Sequence, residues 1–442
     1  MTQGQALEIL KMGQNVFLTG SAGTGKTHLL NEYIEYLKKN KISVAITAST
    51  GIAATHMDGR TIHSWSAIGI KSNLTKKEFN AIIYNEDIQT RINKAKVLIV
   101  DEISMLDAKR FDLIELICRT VRKKSSPFGG LQVILCGDFF QLPPVPTRGE
   151  PPPEFAFDSL AWGKLNIIIC YLEKQYRQED GRFLNLLNDI RNSKTTLKTR
   201  EILMERHQKS VNGVPKPTKL YATNRKVNAL NDFELSRIAS EEHVFNMSWS
   251  GDSELVNELK KTCLAPDPLI LKKDAFVMFV KNNYIEGDTA SGYVNGTLGI
   301  ITGFNEDDGF PIVKKQDGKE IIATPRSWTI EEDEIELARI TQVPLRLAWA
   351  ITIHKSQGMS LDCAEIDLGS AFTQGMGYVA LSRVRKLEGI KLMGLNELSL
   401  IVNSVIKEID VEFKRISEAN EEEIKLMDSD KKKELIKVFL HR

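Results

Sequence analysis

A glycine-rich loop near the start of the chain has the residue types and spacing of a phosphate-binding site. Residues 20–27 read GSAGTGKT and fit G-x-x-x-x-G-K-[ST] at every position. Its backbone N–H groups can curl around a phosphate, and the amino end of the following helix adds positive potential. Lys26 is expected to reach the β- and γ-phosphates, and the Thr27 hydroxyl to bind Mg²⁺. The predicted nucleotide-binding residues of this phosphate loop are Gly20, Ser21, Ala22, Gly23, Thr24, Gly25, Lys26 and Thr27.

An acidic pair follows another apolar run. Residues 97–100 are all aliphatic, and Asp101 and Glu102 come directly after them. Asp101 is predicted to hold the Mg²⁺, and Glu102 to orient or deprotonate an attacking water, a role worth roughly 10²- to 10⁴-fold in rate. Two adjacent acids favour hydrolysis of the nucleotide over its simple binding.

A third apolar run, residues 133–135, leads into the sequence GDFFQLPP at 137–144. Gln141 is placed where it could sense a γ-phosphate. Two alternatives stay open for Phe139 and Phe140, which either pack in the core or form an exposed platform for nucleic-acid bases.

These polar residues need a common scaffold. The apolar runs at 16–18, 44–46, 97–100 and 133–135 show little alternation, which is typical of strands buried on both faces of a parallel sheet. Functional residues of such sheets lie at the carboxyl ends of the strands. The pattern therefore predicts an α/β fold, with one helix after Lys26 that presents Leu29, Leu30, Tyr33, Ile34 and Leu37 to the sheet.

Composition limits the class of protein. The 442 residues suggest about three domains, and 42% hydrophobic with 26% charged residues is an ordinary globular balance. A net charge of +1 excludes a uniformly basic surface but not a local nucleic-acid channel.

No apolar run approaches the ~20 residues of a membrane span. No leader is visible at the start, so a cytoplasmic protein is expected, nucleoid-associated if bacterial. The cysteines lack metal-ligand spacing and are predicted to be buried thiols.

Turn residues divide the chain. The first domain is expected to span 1–178, and the second to be formed by 179–240 and 346–405. Gly, Asn and Asp turns separate short strand-like runs in 241–345, which predicts a small antiparallel β unit inserted into the second domain. Residues 406–442 are charged with helical spacing, and we expect a solvated helical tail packed on the surface.

Taken together, eight short motifs resemble those of the PIF family of DNA helicases, in the RecD-like branch of superfamily 1B. Each string is weak alone, but their order and spacing are specific, and the likeness extends from Gln5 to about residue 400. The motifs are residues 20–27, ASTGIAA at 48–54, TIHS at 61–64, DEISM at 101–105, GDFFQLPP at 137–144, QYR at 175–177, TIHKSQG at 352–358 and YVALSR at 378–383.

The resemblance implies two RecA-like P-loop motor domains with ATP and Mg²⁺ between them. It implies a monomeric motor with single-stranded DNA across both domains and translocation in the 5′-to-3′ direction on duplex or forked substrates. The inserted β unit resembles the family's SH3-like accessory domain, and residues 66–90 occupy the position of a small wedge that splits the duplex.

Several site residues follow only from this resemblance. Gln5 is expected to read adenine, with Gln3 as the competing candidate. Arg177 and Arg383 resemble arginine fingers that reach the γ-phosphate from across the cleft, although surface ion pairs are the alternative. Gln357 and Gly358 resemble nucleotide contacts of the second domain.

The protein is expected to contact mostly the phosphate backbone of the DNA, because a motor must be able to move along any base sequence. Hydroxyl groups would hold phosphates, and aromatic or imidazole rings would stack on bases, at roughly 1–3 kcal/mol per base. The predicted DNA-binding residues are Thr50, Gly51, His63, Ser64, Trp65, Phe139, Pro143, Thr352 and His354.

The main hypothesis is therefore an ATP-dependent DNA helicase of genome maintenance, acting in replication, repair or recombination. Relatives act on G-quadruplexes, on RNA–DNA hybrids and at telomeres, but no residue pattern selects among these substrates. One alternative is a DNA-stimulated ATPase that translocates and remodels protein–DNA complexes without processive unwinding. An alternative of another class is a P-loop nucleotide switch or scaffold.

Overall fold

The computed structural model describes every residue except 58, 70, 147–150, 179, 212–216, 282, 284–291, 294, 316, 333–334 and 442. The chain divides into two compact units. The first comprises Met1–Arg177 together with Asn403–Arg442, and the second comprises Gln178–Val402. Residue 70 of the expected wedge and residue 179, the expected start of the second domain, lie outside the described residues.

The described helices and strands give the frame of both units. The helices are α1 (Gln3–Lys11), α2 (Lys26–Lys39), α3 (Gly51–His56), α4 (Ile62–Trp65), α5 (Lys76–Ile83), α6 (Glu86–Lys94), α7 (Ala108–Val121), α8 (Leu160–Lys164), α9 (Gly181–Arg191), α10 (Leu197–Met204), α11 (Asn224–Ser236), α12 (Ser253–Thr262), α13 (Met376–Leu381), α14 (Ser404–Leu426) and α15 (Ser429–His441). The strands are β1 (Val16–Gly20), β2 (Val44–Ala48), β3 (Arg60–Thr61), β4 (Val97–Asp101), β5 (Gln132–Cys136), β6 (Ile168–Leu172), β7 (Thr218–Tyr221), β8 (His243–Phe245), β9 (Ser248–Gly251), β10 (Leu269–Leu271), β11 (Phe276–Phe279), β12 (Leu298–Phe304), β13 (Pro311–Lys315), β14 (Glu320–Ile322), β15 (Arg326–Glu332), β16 (Ile335–Gln342), β17 (Leu345–Leu347), β18 (Ala350–Thr352), β19 (Ala364–Leu368) and β20 (Ile390–Leu395). Within the described ranges, no helix has both the length and the apolar character needed to cross a membrane.

The first unit is built on a parallel sheet in the order β3-β2-β4-β5-β1-β6. Strands β1, β4 and β5 are buried along their whole length, as expected for a sheet covered on both faces. The predicted α/β class is confirmed. The phosphate loop and the motifs after β2, β4 and β5 all start at the carboxyl ends of these strands, so they lie at one edge of the sheet.

Helix α2 begins directly after the phosphate loop. Its predicted apolar face is confirmed, because the side chains on it are all buried. They are Leu29, Leu30, Tyr33, Ile34 and Leu37. The Tyr33 hydroxyl also donates a hydrogen bond to Oε1 of Gln132 on β5 at 2.8 Å, which fixes the helix to the sheet.

The second unit contains a parallel sheet in the order β18-β7-β19-β20. Antiparallel strands lie between β7 and β18 in the sequence. They form a sheet β14-β13-β12-β11-β17, a sheet β15-β16-β9 and the pair β10-β8. Because β17 spans Leu345–Leu347 and pairs with β11, antiparallel pairing continues past the expected limit at residue 345.

Residues 406–442 do not stand apart as a solvated tail. Helices α14 and α15 belong to the first unit, although the second unit separates them from it in the sequence. Ile406, Phe413, Ile424 and Phe439 are at most 5% exposed. The predicted helices are present and packed, but the segment is not a mere tail, because one apolar face of these charged helices completes the core of the first unit.

Helix α14 lies against β6, which is an edge strand of the sheet. An edge strand leaves backbone N–H and C=O groups without a neighbouring strand. Ser417 Oγ accepts a hydrogen bond from the Tyr171 N–H at 2.9 Å, and Asn420 Nδ2 donates one to the Ile169 carbonyl at 3.3 Å. The Tyr171 hydroxyl donates to the buried Asp410 carboxylate at 3.0 Å. Side chains of α14 thus take the place of the missing strand.

Candidate nucleotide-binding site

The phosphate loop connects β1 to α2 through glycines that other residues could not replace. Gly20 has φ of 143°, and a Cβ there would lie 2.4 Å from the Leu172 carbonyl oxygen. Gly25 has φ of 81°, and a Cβ there would lie 2.2 Å from Nε2 of Gln3. At Gly20 both the φ value and the fixed backbone carbonyl exclude a side chain, whereas at Gly25 the positive φ is what favours glycine. The loop can therefore bring its backbone close to a bound anion.

Lys26 is the first residue of α2, and its ammonium group stays over the loop. Nζ donates to the carbonyl oxygens of Gly20 at 2.8 Å and Ser21 at 3.1 Å. The Thr24 hydroxyl donates to the Ser21 carbonyl at 2.9 Å. The structure thus places a positive charge inside a backbone cradle at a helix amino terminus, which suits a polyphosphate.

Asp101 ends β4 and is 7% exposed. Burial raises the pKa of its carboxyl group, while hydrogen bonds from the Cys136 thiol and the Glu102 N–H and the charge of Lys26 lower it. The Glu102 N–H lies 2.9 Å from Asp101 Oδ1. A desolvated carboxylate facing a lysine is a site where a further cation would be stabilised.

Glu102 adopts a left-handed backbone conformation, with φ of 51° and ψ of 43°. This is rare for a residue with a side chain and is commonly found at functional sites. Ser49, after β2, fixes the strained segment: its N–H donates to the Asp101 carbonyl at 3.0 Å and its hydroxyl to the Glu102 carbonyl at 2.6 Å. Sequence reasoning missed Ser49 and Cys136, although both follow predicted strands next to β4.

Gln141 lies in the loop after β5 and is 6% exposed. Its backbone N–H donates to the Asp138 carbonyl at 2.9 Å. Its side-chain oxygen Oε1 is buried and has no hydrogen-bond partner among the described residues. Leaving a buried acceptor unsatisfied costs about 1–3 kcal/mol, which a donor such as a bound water would relieve.

The structure places Gln3, and not Gln5, against the phosphate loop. Gln3 Nε2 donates to the carbonyls of Thr24 at 3.2 Å and Gly25 at 3.3 Å. The Gln5 side chain instead closes a capping box with Thr2 at the start of α1, and its Nε2 donates to Glu421 at 3.2 Å. These contacts favour Gln3 over Gln5 as the residue beside the loop, and which of the two reads adenine stays a prediction.

The segment after β6 also contacts the phosphate loop. Gln175 Nε2 donates to Ser21 Oγ, and the Tyr176 N–H donates to the Gly23 carbonyl at 2.9 Å. The Tyr176 ring is 54% exposed, and its Cδ2 lies 3.6 Å from the position of a Cβ on Gly25. Sequence reasoning assigned no role to Gln175 and Tyr176, although both lie in the motif at 175–177.

Arg177 belongs to the first unit, the same unit as the phosphate loop. It is the last residue of that unit, and the hydrogen bond between Tyr176 and Gly23 ties the preceding residues to the loop, while its role as an arginine finger stays a prediction. Arg383 belongs to the second unit and is 1% exposed. Its guanidinium donates to the Val379 carbonyl and to Ser382 Oγ, both at 2.9 Å.

Two predicted base-stacking residues are core residues. Phe139 is 4% exposed, and its ring centroid lies 4.8 Å from that of Phe157 and 5.4 Å from that of Phe17. Trp65 is 3% exposed. The stacking roles predicted for Phe139 and Trp65 are therefore contradicted, because neither ring is available to a base. Pro143, in the loop that follows, is half-buried.

The polar DNA-binding candidates of the first unit lie after β2 and β3. The Thr50 hydroxyl caps α3 by accepting from the Ala53 N–H at 3.2 Å, and Gly51 is the first residue of that helix. Ser64 Oγ accepts from Arg60 Nη2 at 3.2 Å, and the neighbouring His63 is half-buried. These residues share the sheet edge at which the phosphate loop begins.

The second unit brings its candidates together after β18. Thr352 is 3% exposed, and its hydroxyl accepts from the Lys355 N–H at 3.2 Å. The His354 ring stacks on Phe372 with centroids 6.0 Å apart, and burial lowers the pKa of His354. Gln357 is 7% exposed, and Gly358 closes the turn with φ of 79°.

Comparison with known proteins identifies the family. Residues 5–201 match the family model described as PIF1-like helicase, and residues 254–304 match the one described as DNA helicase Pif1, 2B domain. ATP-dependent DNA helicase Pif1 of Psychrobacter sp. is 43% identical over 94% of this chain and 71% of that protein. Human ATP-dependent DNA helicase PIF1 is 36% identical over 90% of this chain, which spans 61% of the human protein.

A solved structure extends the likeness to the fold. The crystal structure of Bacteroides Pif1 helicase in complex with ADP-AlF3 and single-stranded DNA is 31% identical, covers 95% of this chain and 97% of that chain, and has a TM-score of 0.65. The fold class and the resemblance read from the sequence are both confirmed. These matches, together with the phosphate loop and the acid pair at the same edge of the sheet, place the chain in the PIF1-like family of ATP-hydrolysing DNA helicases.

Proposed function

We propose that this chain uses the hydrolysis of Mg²⁺-bound ATP to move 5′-to-3′ along single-stranded DNA and to separate duplex or forked DNA. The observation that supports it most is the convergence of Lys26, Asp101 and Gln141 at one edge of a parallel sheet. Lys26 begins the helix after the phosphate loop, Asp101 ends β4 and Gln141 lies in the loop after β5, so folding of the sheet brings their segments to the same edge.

The residues present fit a magnesium ion. Asp101 offers a desolvated carboxylate that lies near Lys26, and Thr27 is an exposed residue in the first turn of α2. Oxygen ligands of this kind suit Mg²⁺. When bound, the ion would neutralise phosphate charge. Thr27 and Asp101 would hold it.

The chemical roles follow from position. Lys26 binds the β- and γ-phosphates. Glu102, at the strained turn after Asp101, orients or deprotonates the attacking water. The Oε1 of Gln141, which has no partner among the described residues, accepts a hydrogen bond from that water or senses whether a γ-phosphate is bound. Arg177 acts from within the first unit. Arg383 acts from the second unit, where the Val379 carbonyl and Ser382 Oγ orient its guanidinium.

The adenine base is recognised beside the loop. Gln3, whose Nε2 is held by the Thr24 and Gly25 carbonyls, offers its Oε1 to the edge of the base, and the exposed Tyr176 can face the plane of the base. Gln357 and Gly358 of the second unit contribute further nucleotide contacts.

DNA is held by groups that do not read sequence. Thr50, Gly51, His63 and Ser64 in the first unit, and Thr352 and His354 in the second, offer hydroxyl, backbone and imidazole groups for phosphates and sugars. The pair of His354 and the exposed Phe372 is one platform on which bases could stack, in place of Phe139 and Trp65.

Tailed duplexes test the proposal. We expect single-stranded DNA to raise ATP turnover many-fold, and a duplex with a 5′ tail to be unwound faster than one with a 3′ tail. Equal unwinding of both, or a preference for the 3′ tail, would refute the polarity. Stimulated turnover with displacement of a DNA-bound protein, but without strand separation, would favour the remodelling translocase. Turnover that ignores DNA would favour a switch or scaffold.

A further inference from the structure

Helix α1 carries Gln3 at its first turn, and the C-terminal helices hold α1 at several points. Glu421 on α14 accepts a hydrogen bond from Gln5 Nε2 at 3.2 Å. Lys432 on α15 pairs with Glu8 at 3.0 Å. Phe439, also on α15, packs so closely on Gly13 that a Cβ there would lie 2.5 Å from its ring. The contacts extend from the first turn of α1 to the residues just beyond its end.

The element that makes these contacts is itself firmly attached. Asp410, Ser417 and Asn420 of α14 are bonded to β6, and Phe413 lies among the aromatic rings of the core. Strand β6 pairs with β1, the strand that leads into the phosphate loop. Helix α14 therefore connects α1 to the same sheet that carries the loop.

The other end of this connection is the nucleotide site. Gln3 Nε2 lies 3.2 Å from the Thr24 carbonyl and 3.3 Å from the Gly25 carbonyl. A turn at the end of a helix normally frays, and its side chains then sample several positions. A helix held along its length keeps Gln3 preorganised, so less entropy is lost when a base binds.

We propose that α14 and α15 form a brace that positions Gln3 for the adenine base, so that Glu421 and Lys432 set the affinity for ATP without touching it. This inference rests on the proposed function, in which Gln3 recognises the base. Glu421 and Lys432 are positioning residues. Their effect should fall on the base-dependent part of nucleotide binding and not on the binding of phosphates.

The experiment compares two ligands in the full-length protein by isothermal titration. One is a non-hydrolysable ATP analogue, and the other is inorganic tripolyphosphate, which has no base. The variants are Glu421→Ala, Lys432→Ala, Gln3→Ala and the double variant Gln3→Ala/Glu421→Ala. Matched controls are Glu422→Ala and Lys431→Ala, which remove the same charges from exposed neighbouring positions.

We expect Glu421→Ala and Gln3→Ala each to weaken the ATP analogue roughly 2- to 12-fold, the range that one hydrogen bond contributes. Tripolyphosphate affinity should stay within a factor of about two. The double variant should be no weaker than Gln3→Ala alone, because both changes act through one contact. Hydrogen exchange of the α1 amides should be faster in Glu421→Ala, with that of α2 unchanged.

Two outcomes overturn the inference alone. In the first, Gln3→Ala weakens the analogue but Glu421→Ala and Lys432→Ala match their controls. In the second, Glu421→Ala and Lys432→Ala weaken the binding of tripolyphosphate as much as that of the ATP analogue, which indicates a general structural role. If Gln3→Ala leaves the analogue's affinity unchanged, base recognition by Gln3 fails, and the inference fails with it.

Discussion

Replacing Phe413 with alanine tests whether the C-terminal helices belong to the core of the first unit. Phe413 is 5% exposed, and its ring centroid lies 5.2 Å from that of Phe17, 6.1 Å from Phe157 and 6.3 Å from Trp162. Truncation of a buried phenylalanine costs about 3–5 kcal/mol. Because aromatic pairs add about 0.5–1.5 kcal/mol beyond burial, we expect a loss in the upper half of that range.

The measurement must report the first unit alone, because a chain of two units does not have to unfold in a single step. Native-state hydrogen exchange of the buried amides of β1 and β6 gives the free energy of unfolding of the first unit. Val411→Ala on the same helix is the control, since Val411 is 65% exposed and its truncation should change stability by less than about 0.5 kcal/mol.

Two results would refute the reasoning. The first is a Phe413→Ala variant whose β1 and β6 amides exchange like those of Val411→Ala. The second is faster exchange confined to α14, which would mean that the helix docks on a unit already complete without it.

Further predictions concern catalysis, packing and pH. Lys26→Ala should lower ATP turnover by roughly 10²-fold or more while single-stranded DNA binding, followed by fluorescence anisotropy, stays largely intact; turnover within tenfold of wild type would contradict the site. Tyr171→Phe removes a hydroxyl that donates to a buried carboxylate and should cost about 1.5–3 kcal/mol by hydrogen exchange of β6, whereas a loss below about 0.5 kcal/mol would exclude that bond. Gly13→Ala, at φ of 75° against an aromatic ring, should destabilise the first unit by more than about 1 kcal/mol, while Gly4→Ala, where a Cβ meets nothing within 4 Å, should be neutral or slightly stabilising. The hydrogen bond with Lys425 is the main cause that lowers the pKa of Glu421 to about 2, so its contribution to stability should be present above the ordinary carboxyl pKa and be lost as pH falls towards 2. Glu421 also pairs with the Met1 ammonium at 3.2 Å, and α-amino groups titrate at about pH 8. The difference in thermal midpoint between wild type and Glu421→Gln should accordingly be flat from about pH 5 to 6.5 and shrink in more acid buffer; a difference that already changes near pH 6 would assign it to another group.

The catalytic edge of the first unit could be predicted from the sequence because its information is local. The phosphate loop and Asp101 follow apolar runs, Gln141 lies in the loop after a third such run, and parallel strands place their carboxyl ends at one edge. The strained turn at Glu102 and the thiol of Cys136 beside Asp101 depend on which strands become neighbours. Spacing along the chain does not contain that information.

The sequence contains a signal that distinguishes the positions of Gln3 and Gln5. The residues lie two apart, so a helix turns them to different faces. Thr2 with Gln5 three residues later is the pattern of a capping box, which indicates that the Gln5 side chain serves the helix end. That signal was present in the sequence and favours Gln3 at the loop.

Aromatic residues and the C-terminal helices were harder to predict for a different reason. Residue type alone does not say whether Phe139 points into the core or out from it, and its partners include Phe413, which is remote in sequence. The charged pattern of 406–442 indicates an amphipathic helix but not the surface that its apolar face covers. Long-range packing decides both questions.

The split of the first unit across both ends of the chain has a consequence for synthesis. A ribosome completes Met1–Arg177 and then all of Gln178–Val402 before Asn403–Arg442 emerges. During that interval β6 has no partner on its outer side, and rings such as Phe17 and Phe139 lack one of their neighbours. Until these residues emerge, the nascent chain has an uncovered β6 edge and an incomplete hydrophobic core. Chaperones would be needed most in this state.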